Sequence, residues 1–290
     1  MPIARLADRG VIKVSGGDAE KFLQNLVTCD LDHIPPEGAR WGALLTPQGK
    51  IISDFMVVRL GVDDGGGFLL DAPAALAGDL ARKLGFYKLR AAVAVEDASA
   101  DLAVVAGWDG AARPGADAAL AFDDPRLDGL GWRGIVPAAE ADGMADASAD
   151  GWHAHRISLG VPEGGRDWVF GDTFPHEAGM DQLAGVDFDK GCFVGQEVVS
   201  RMQHRGTART RAVPVVFTDG IVAEGGAEVT AGERSLGRMG SGAAGRGIAM
   251  IRLDRAADAL AAGERILAGN LPVTLEKPRW ARFAFPGEAA

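Results

Sequence analysis

Cys192 stands in a segment whose residue types favour thiolate chemistry. Lys190 precedes it by two positions, Gly191 and Gly195 flank it, and a helix is predicted to begin near Gln196. A nearby ammonium group and a helix N-terminus both stabilise a thiolate relative to a thiol, so this pattern predicts a lowered pKa for Cys192. The alternative is a buried structural cysteine beside a surface helix, and the residue types alone favour the two equally.

The glycines beside this cysteine predict a loop in which another segment approaches the backbone closely or the φ angles are positive. After the loop, the predicted helix turns Val198, Val199 and Met202 toward the core. On the same helix, Glu197 and Arg201 are spaced by four residues, which predicts an ion pair between them.

Residues 189–211 form a cationic segment within an acidic chain. The formal net charge of the whole chain is −10, whereas this segment has more cations than carboxylates. Its cations are Lys190, Arg201, Arg205, Arg209 and Arg211, and its carboxylates are Asp189 and Glu197. The segment is suited to an anionic ligand, and surface salt bridges are the alternative role for any one of these arginines.

The composition excludes several classes of protein. The chain has 290 residues and 2 cysteines, too few for a disulfide scaffold and too few to hold a ferredoxin-type iron–sulfur cluster alone. Its acidic balance, with a pI of about 5.0, argues against sequence-independent nucleic-acid binding. We expect neither a signal peptide nor a membrane span, since no apolar run approaches about 20 residues. These features predict a cytoplasmic protein in which Cys29 and Cys192 are free thiols.

Strands and helices alternate irregularly along the first 212 residues, which predicts an α+β fold rather than a doubly wound parallel sheet. Strands are predicted at 11–14, 41–45, 51–60, 68–71, 91–95, 102–106 and 132–136, and helices at 19–27, 73–87 and 152–159. Asp18 is the predicted N-cap of the first helix, and Cys29 after that helix is predicted to be a packing residue. A glycine turn is predicted at 65–67, and residues 109–126 and 138–150 are predicted to be solvated connections without chemical function.

After residue 212, short strands at 213–217, 248–251 and 271–275 alternate with glycine-rich turns, which predicts a small all-β domain. Residues 240–245 match the pattern G-x-G-x-x-G, but a strand follows where a dinucleotide site needs a helix, so we predict a hairpin. No metal site is predicted, because His153 and His155 lack a third ligand at a useful spacing.

A longer motif around the cysteine resembles the signature of the YgfZ-type folate-binding proteins. It reads Lys190-Gly191-Cys192-Phe193-Val194-Gly195-Gln196-Glu197 and is followed by Arg201. The resemblance extends to the runs at 160–164, 174–177 and 185–188, and to 16–30 and 49–59 nearer the N-terminus. It implies the fold of the glycine cleavage T-protein, a tetrahydrofolate-dependent aminomethyltransferase. That fold has α+β subdomains around a central opening and a C-terminal β-barrel, so we expect domains at 1–212 and 213–290.

The resemblance also implies a ligand and a role. The ligand is tetrahydrofolate or a one-carbon derivative, and the role is assembly or repair of [4Fe–4S] clusters in other enzymes. The implied partners are iron–sulfur enzymes or assembly proteins, with neither nucleic acid nor membrane. Cys192 would attack a folate-borne one-carbon unit or meet sulfur or iron from a partner. The residues implied to hold the ligand are Lys190, Gly191, Gly195, Gln196, Glu197, Arg201, Arg205, Arg156 and Trp168, with Arg209 and Arg211 as further candidates for its glutamate tail.

Two positions depart from the T-protein pattern. Ser158 stands where T-proteins carry an acidic residue that grips the pterin edge, and Ser53-Asp54 retains one of two paired carboxylates. Asp54 is a candidate catalytic residue, as a ligand contact or a general acid–base, and a strand-end residue without a role is the alternative. These departures argue against a working aminomethyltransferase. A folate-dependent aminomethyltransferase or demethylating enzyme and a non-enzymatic cluster-delivery protein are therefore the alternatives to a folate-binding cluster assembly factor.

Overall fold

The chain forms two compact units of mixed helix and sheet, which confirms the predicted α+β class. A computed structural model describes residues 1–61, 66–115, 118–206 and 208–287. The first unit comprises Met1–Trp152 and Leu183–Glu197, and the second comprises His153–Gln182 and Val198–Ala290. No helix in the described ranges has the length and apolar character that a bilayer crossing requires.

The larger sheet of the first unit has five antiparallel strands. They are Arg9–Ser15 (β2), Ala39–Leu45 (β3), Ile51–Arg59 (β4), Phe68–Pro73 (β5) and Ala94–Asp97 (β6). Their spatial order is β3–β4–β5–β2–β6. Helix α1 spans Ala19–Gln24, and helix α2, Ala74–Tyr87, packs on β2, β5 and β6. The helical spacing of Ala77, Leu80 and Leu84 gives α2 one buried apolar face, and this burial drives its packing on the sheet.

Three details of this layer differ from the sequence-based predictions. Helix α1 ends at Gln24 rather than at residue 27, and β6 begins at Ala94 rather than at residue 91. Asp18 occupies the predicted N-cap position of α1, but its carboxylate accepts a hydrogen bond from the N–H of Ala92 at 2.7 Å rather than from the helix. The glycine turn predicted at 65–67 begins outside the described residues.

A second antiparallel sheet belongs to the same unit. Its strands are Ile3–Arg5 (β1), Leu102–Gly107 (β7), Leu120–Asp123 (β8) and Trp132–Pro137 (β9), in the spatial order β1–β7–β9–β8. The prediction of a solvated connection at 109–126 was wrong, because β8 lies within it and is followed by the buried Asp124 and Arg126. Residues 116 and 117 of that stretch lie outside the described part of the chain.

The connection predicted at 138–150 was also wrong. It contains helix α3 (Ala141–Met144) and the beginning of helix α4 (Ala149–Ser158). Ala141 is completely buried, so this stretch contributes to the hydrophobic core of the second sheet.

A buried chain of ion pairs connects strands of the two sheets within the first unit. The carboxylate of Asp71 accepts hydrogen bonds from Arg9 and Arg133, each at 2.6 Å. Arg133 also donates to Asp124 at 2.9 Å, and Arg126 donates to the same carboxylate at 2.8 Å. Burial acts to raise the pKa of Asp124, but the guanidinium groups of Arg126 and Arg133 outweigh it and hold that pKa well below its ordinary value. Each charge in this network therefore depends on its partners, since an unpaired buried charge is strongly destabilising.

The second unit contains a closed barrel of six strands, which confirms the predicted C-terminal β-barrel. The strands are Thr210–Phe217 (β10), Glu228–Ala231 (β11), Arg234–Ala243 (β12), Arg246–Arg252 (β13), Ile266–Ala268 (β14) and Leu271–Leu275 (β15), with helix α6 at Leu253–Ala261. Their order around the barrel is β10–β13–β12–β11–β14–β15. Ala244 and Gly245 join β12 to β13 with φ angles of 48° and 77°, a backbone suited to a tight hairpin. The glycine-rich run at 240–245 therefore forms the predicted hairpin.

Candidate functional site

The ammonium group of Lys190 holds the motif loop against the chain that follows α1. Its Nζ donates hydrogen bonds to the carbonyl oxygens of Gln24 at 2.9 Å, Val27 at 2.8 Å and Cys29 at 2.6 Å. Lys190 is buried, with 8% of its surface exposed. Burial is the main cause that lowers its pKa, opposed by the field of nearby acidic groups that includes Asp30. Three acceptors match the three protons of an ammonium, so this attachment satisfies the group completely.

Further hydrogen bonds fix the chain that leads to Lys190. The carboxylate of Asp187 accepts from the backbone N–H groups of Asp189 at 2.9 Å and Lys190 at 3.0 Å. The hydroxyl of Thr28 donates to the carbonyl of Gly185 at 2.6 Å, and the carbonyl of Thr28 accepts from the N–H of Asp187. The loop is thus attached at several points to residues 24–29.

Cys192 lies on the surface just beyond this attachment. Its side chain is exposed, so the interpretation of a buried structural cysteine was wrong. The next residue, Phe193, is buried, and its ring centroid lies 5.6 Å from Nζ of Lys190. The loop therefore holds the ring of Phe193 and the ammonium of Lys190 inward while it presents the thiol of Cys192 outward.

The other cysteine has the opposite environment. Cys29 is 1% exposed, and burial raises its pKa to about 12. Its sulfur packs so closely against β3 that a Cβ atom on Gly42 would lie 2.6 Å from it. This confirms the prediction that Cys29 is a packing residue, and it leaves Cys192 as the reachable thiol.

The two motif glycines have different roles. Gly195 has a φ of +82°, and a Cβ atom there would lie 2.6 Å from the carbonyl oxygen of Thr46 and 3.1 Å from Cα of Gly49. The predicted close approach is therefore confirmed for Gly195, which packs on the turn between β3 and β4. It is wrong for Gly191, whose φ is not in the left-handed region and whose Cβ would meet nothing within 4 Å.

Helix α5 begins at Gln196 as predicted and ends at Arg205. Val199 is fully buried, and Val198 and Met202 are half-buried on the same face. The remaining motif residues Glu197, Arg201 and Arg205 are exposed. Their assignment to the ligand, together with that of Lys190, Gly191, Gly195 and Gln196, stays a prediction.

Asp54 lies inside the first unit on strand β4 and is 2% exposed. Its Oδ2 accepts a hydrogen bond from the indole N–H of Trp41 at 3.0 Å. The guanidinium carbon of Arg126 lies 5.9 Å from the ring centroid of the same tryptophan. Asp54 is thus connected through Trp41 to the buried ion pairs around Asp124, and its catalytic role stays a prediction.

Arg156, a predicted wall residue of the ligand site, is completely buried in the second unit. Its guanidinium contacts Glu163 at 2.9 Å and Asp167 at 2.7 Å, and it donates to the hydroxyl of Ser241 at 2.8 Å. Trp168 is 3% exposed. Both residues belong to the interior of this unit, and their contact with a ligand stays a prediction.

An arginine-rich cavity of about 440 Å³ opens in the second unit. Arg209, Arg211, Arg282 and Phe283 line it, and Asp181 and Asp254 are the carboxylates in its lining. Arg211 is buried and donates to Asp181 at 2.6 Å, and its guanidinium carbon lies 4.6 Å from the ring centroid of Phe283. Arg209 and Arg282 are exposed there. The cavity thus gathers cations with an aromatic ring, a combination that suits a carboxylate attached to an apolar or aromatic group.

His176 also lines this cavity and was not assigned a role from the sequence. Its Nε2 lies 3.0 Å from the side-chain oxygen of Gln203, and burial is the main cause that lowers its pKa. The carbonyl of His176 accepts a hydrogen bond from Arg211 at 2.6 Å. The sequence did draw attention to His176, because it belongs to the 174–177 run that resembles the family. Nothing in that run indicated which side chains would contact this histidine.

The chain is similar to known proteins in its fold. Residues 209–283 match the family described as CAF17, C-terminal beta-barrel domain, and this range contains the six strands of the closed barrel. The structure also resembles the glycine cleavage system aminomethyltransferase T from Bartonella henselae. The TM-score is 0.75, with 17% sequence identity, 98% of this chain covered and 87% of that chain covered. The T-protein-like fold predicted from the motif is therefore confirmed.

Sequence relatives are more informative about the family. The human protein named iron-sulfur cluster assembly factor IBA57, mitochondrial, is 33% identical over 279 residues, which are 85% of this chain and 76% of the relative. The IBA57 homologue of Mycosarcoma maydis is 36% identical over 230 residues, and the chain spans only 57% of the length of that relative. Both relatives are named as mitochondrial proteins, which contradicts the cytoplasmic location that we predicted.

We predict that the two motif glycines respond differently to alanine. Gly195→Ala places a Cβ against the carbonyl of Thr46 at a positive φ, so we expect the free energy of unfolding to fall by about 1–3 kcal/mol. Gly191→Ala is the matched control, with an expected change within about 0.5 kcal/mol. Urea unfolding followed by circular dichroism measures both, and equal effects of the two substitutions would contradict this assignment.

Proposed function

Because this chain belongs to the IBA57 family of iron–sulfur cluster assembly factors, we propose that it supports assembly or repair of [4Fe–4S] clusters in other enzymes through the thiol of Cys192. The relatives are named iron-sulfur cluster assembly factors, and the chain covers 76% of the human relative. The proposed partners are iron–sulfur enzymes or the proteins that assemble their clusters. At the finer level we propose a YgfZ-type protein that binds tetrahydrofolate or a one-carbon derivative.

The observation that carries the proposal is the exposed thiol of Cys192 on an anchored loop. Cysteine thiolates are the usual protein ligands of iron–sulfur clusters, and a cluster normally takes four of them. The chain has 2 cysteines, and Cys29 is buried. One reachable thiol is suited to a shared or transient ligand, or to a nucleophile, rather than to stable possession of a cluster.

The arginine-rich cavity supports the folate half of the proposal. The tail of tetrahydrofolate carries a glutamate with two carboxylates attached to an aromatic ring. Guanidinium groups bind carboxylates with paired hydrogen bonds, and an aromatic side chain offers a stacking surface for the ring. Arg209, Arg282 and Phe283 provide these groups within the second unit.

The aminomethyltransferase alternative finds less support. Ser158, which replaces the acidic residue of the T-proteins, donates its hydroxyl hydrogen to the carbonyl of His155 at 2.7 Å within helix α4. The hydroxyl hydrogen of Ser158 is therefore already engaged within its own helix. A neutral hydroxyl also lacks the negative charge with which a carboxylate binds the edge of a pterin. We therefore favour a role in cluster assembly over one-carbon transfer from a small methylamine.

Complementation in cells that lack this protein tests the role of the thiol. We expect Cys192→Ala to be made at the wild-type level but to leave the activity of a [4Fe–4S] enzyme unrestored, because the variant lacks the reachable thiolate. Cys29→Ala is the matched control and should restore activity, since that sulfur is buried. Full restoration by Cys192→Ala would remove the thiol from the mechanism.

Isothermal titration calorimetry with tetrahydrofolate tests the ligand. We expect saturable binding by the wild type. Arg209→Ser should bind about tenfold more weakly, because it loses one charge-assisted hydrogen bond to a carboxylate of the ligand. Arg234→Ser is the control, because that arginine is exposed on β12 and lies outside the lining of the cavity. Absence of binding at high micromolar ligand would contradict the folate assignment and favour a cluster-delivery protein without folate.

A further inference from the structure

Exposed apolar side chains are concentrated at the end of helix α2. Seven large hydrophobic residues are exposed in the described part of the chain, and three of them are Phe86 at 73%, Tyr87 at 40% and Leu89 at 88%. Single exposed apolar residues are common on protein surfaces, but a contiguous group indicates an interaction site. This group lies in the first unit and is independent of the role assigned to Cys192.

Leu89 has a backbone conformation that adds to this indication. Its φ is +45°, in the left-handed region that a branched apolar residue rarely adopts. The residue buries almost none of its surface in exchange, since 88% of it is exposed. Local stability therefore favours glycine or asparagine at this position, and a leucine held there points to a function outside the fold of the monomer.

A groove of about 370 Å³ lies beside these residues. Phe22 and Leu26 line it and are almost fully buried, with 8% and 7% of their surfaces exposed. Tyr87 and Leu89 line it as well and are exposed. The groove thus has an apolar floor, formed by Phe22 and Leu26, and an apolar rim, formed by Tyr87 and Leu89. We expect such a groove to bind an inserted apolar side chain.

The charges around the groove are mostly positive. Lys21, Lys88 and Arg90 line it, against the single carboxylate of Asp18. That carboxylate already accepts a hydrogen bond from the N–H of Ala92 at 2.7 Å. A cationic rim on a chain of net charge −10 favours an acidic partner by charge complementarity.

We propose that this groove docks an acidic segment of a partner protein that inserts one apolar side chain over Phe22 and Leu26, while its carboxylates meet Lys21, Lys88 and Arg90. The nearly buried floor of Phe22 and Leu26 suits an inserted peptide side chain better than a flat lipid surface. A second copy of the chain fits less well, because an isologous contact places the same cations opposite one another.

Fluorescence anisotropy with a defined probe tests the proposal. The probe is the labelled peptide EDELFEDE, and its matched control has serine in place of leucine and phenylalanine. We expect saturable binding of the probe by the wild-type chain, weaker binding of the serine peptide, and weakening as salt screens the cationic rim. Leu89→Asn and Arg90→Glu should each weaken binding of the probe by about tenfold or more.

Two controls separate docking from folding. Leu89→Asn should leave the melting temperature unchanged or raise it, because asparagine adopts the left-handed region more readily than leucine. Ile221→Ser removes another exposed apolar side chain, 63% exposed outside the groove, and should bind the probe like the wild type.

Three outcomes would overturn the proposal. The first is no saturable binding of the probe peptide, and the second is equal binding by Leu89→Asn and the wild type. The third is that Leu89→Asn abolishes binding to phosphatidylcholine–phosphatidylglycerol vesicles, or self-association in the ultracentrifuge, while the probe is not bound. The last result would assign the surface to a membrane or to a second copy.

Discussion

The three hydrogen bonds of the Lys190 ammonium are the interaction on which the candidate site depends. They attach the motif loop to the carbonyls of Gln24, Val27 and Cys29. Burial of an ammonium is costly. At the end of a helix, however, the last backbone carbonyls have no hydrogen-bond partner within the helix, and hydrogen bonds from the ammonium to such carbonyls offset this cost. One lysine therefore satisfies the backbone after α1 and fixes the position of the residues that follow it in the motif.

The same attachment gives the two cysteines opposite environments. Cys29 offers its carbonyl to Lys190 while its sulfur is buried against β3, and Cys192 lies exposed two residues beyond the lysine. Gly195 then packs on the turn after β3, at a distance that a Cβ atom does not permit. A loop held at both ends presents its thiol without disturbing the core, and this arrangement is compatible with the transient contact with a partner protein that we propose.

Much of the fold and part of the site follow from local patterns in the sequence. The apolar periodicity of α2 depends on neighbours along the chain, and this helix was predicted together with three of the six barrel strands, β10, β13 and β15. The buried chain of ion pairs around Asp124 was missed, because Asp71 joins it across 62 residues from both Arg9 and Arg133 and each charged residue resembles a solvated charge when considered alone. Gly191 and Gly195 are indistinguishable as letters in the motif, and only the packing of Gly195 on Thr46 separates them. Leu89 also carries no local signal, since its exposure and its positive φ arise from the turn that ends α2.

Alkylation of the native chain by a maleimide, with the labelled peptides identified by mass spectrometry, tests most directly whether Lys190 holds this arrangement. We expect Cys192 of the wild type to be labelled rapidly and Cys29 to be labelled very slowly, because burial raises the pKa of Cys29 to about 12. In Lys190→Met, with folding verified by circular dichroism, the carbonyls after α1 lose their donor, and labelling of Cys29 should accelerate by about tenfold or more. Labelling of Cys29 as fast as Cys192 in the wild type, or at an unchanged rate in Lys190→Met, would show that Lys190 does not hold this arrangement.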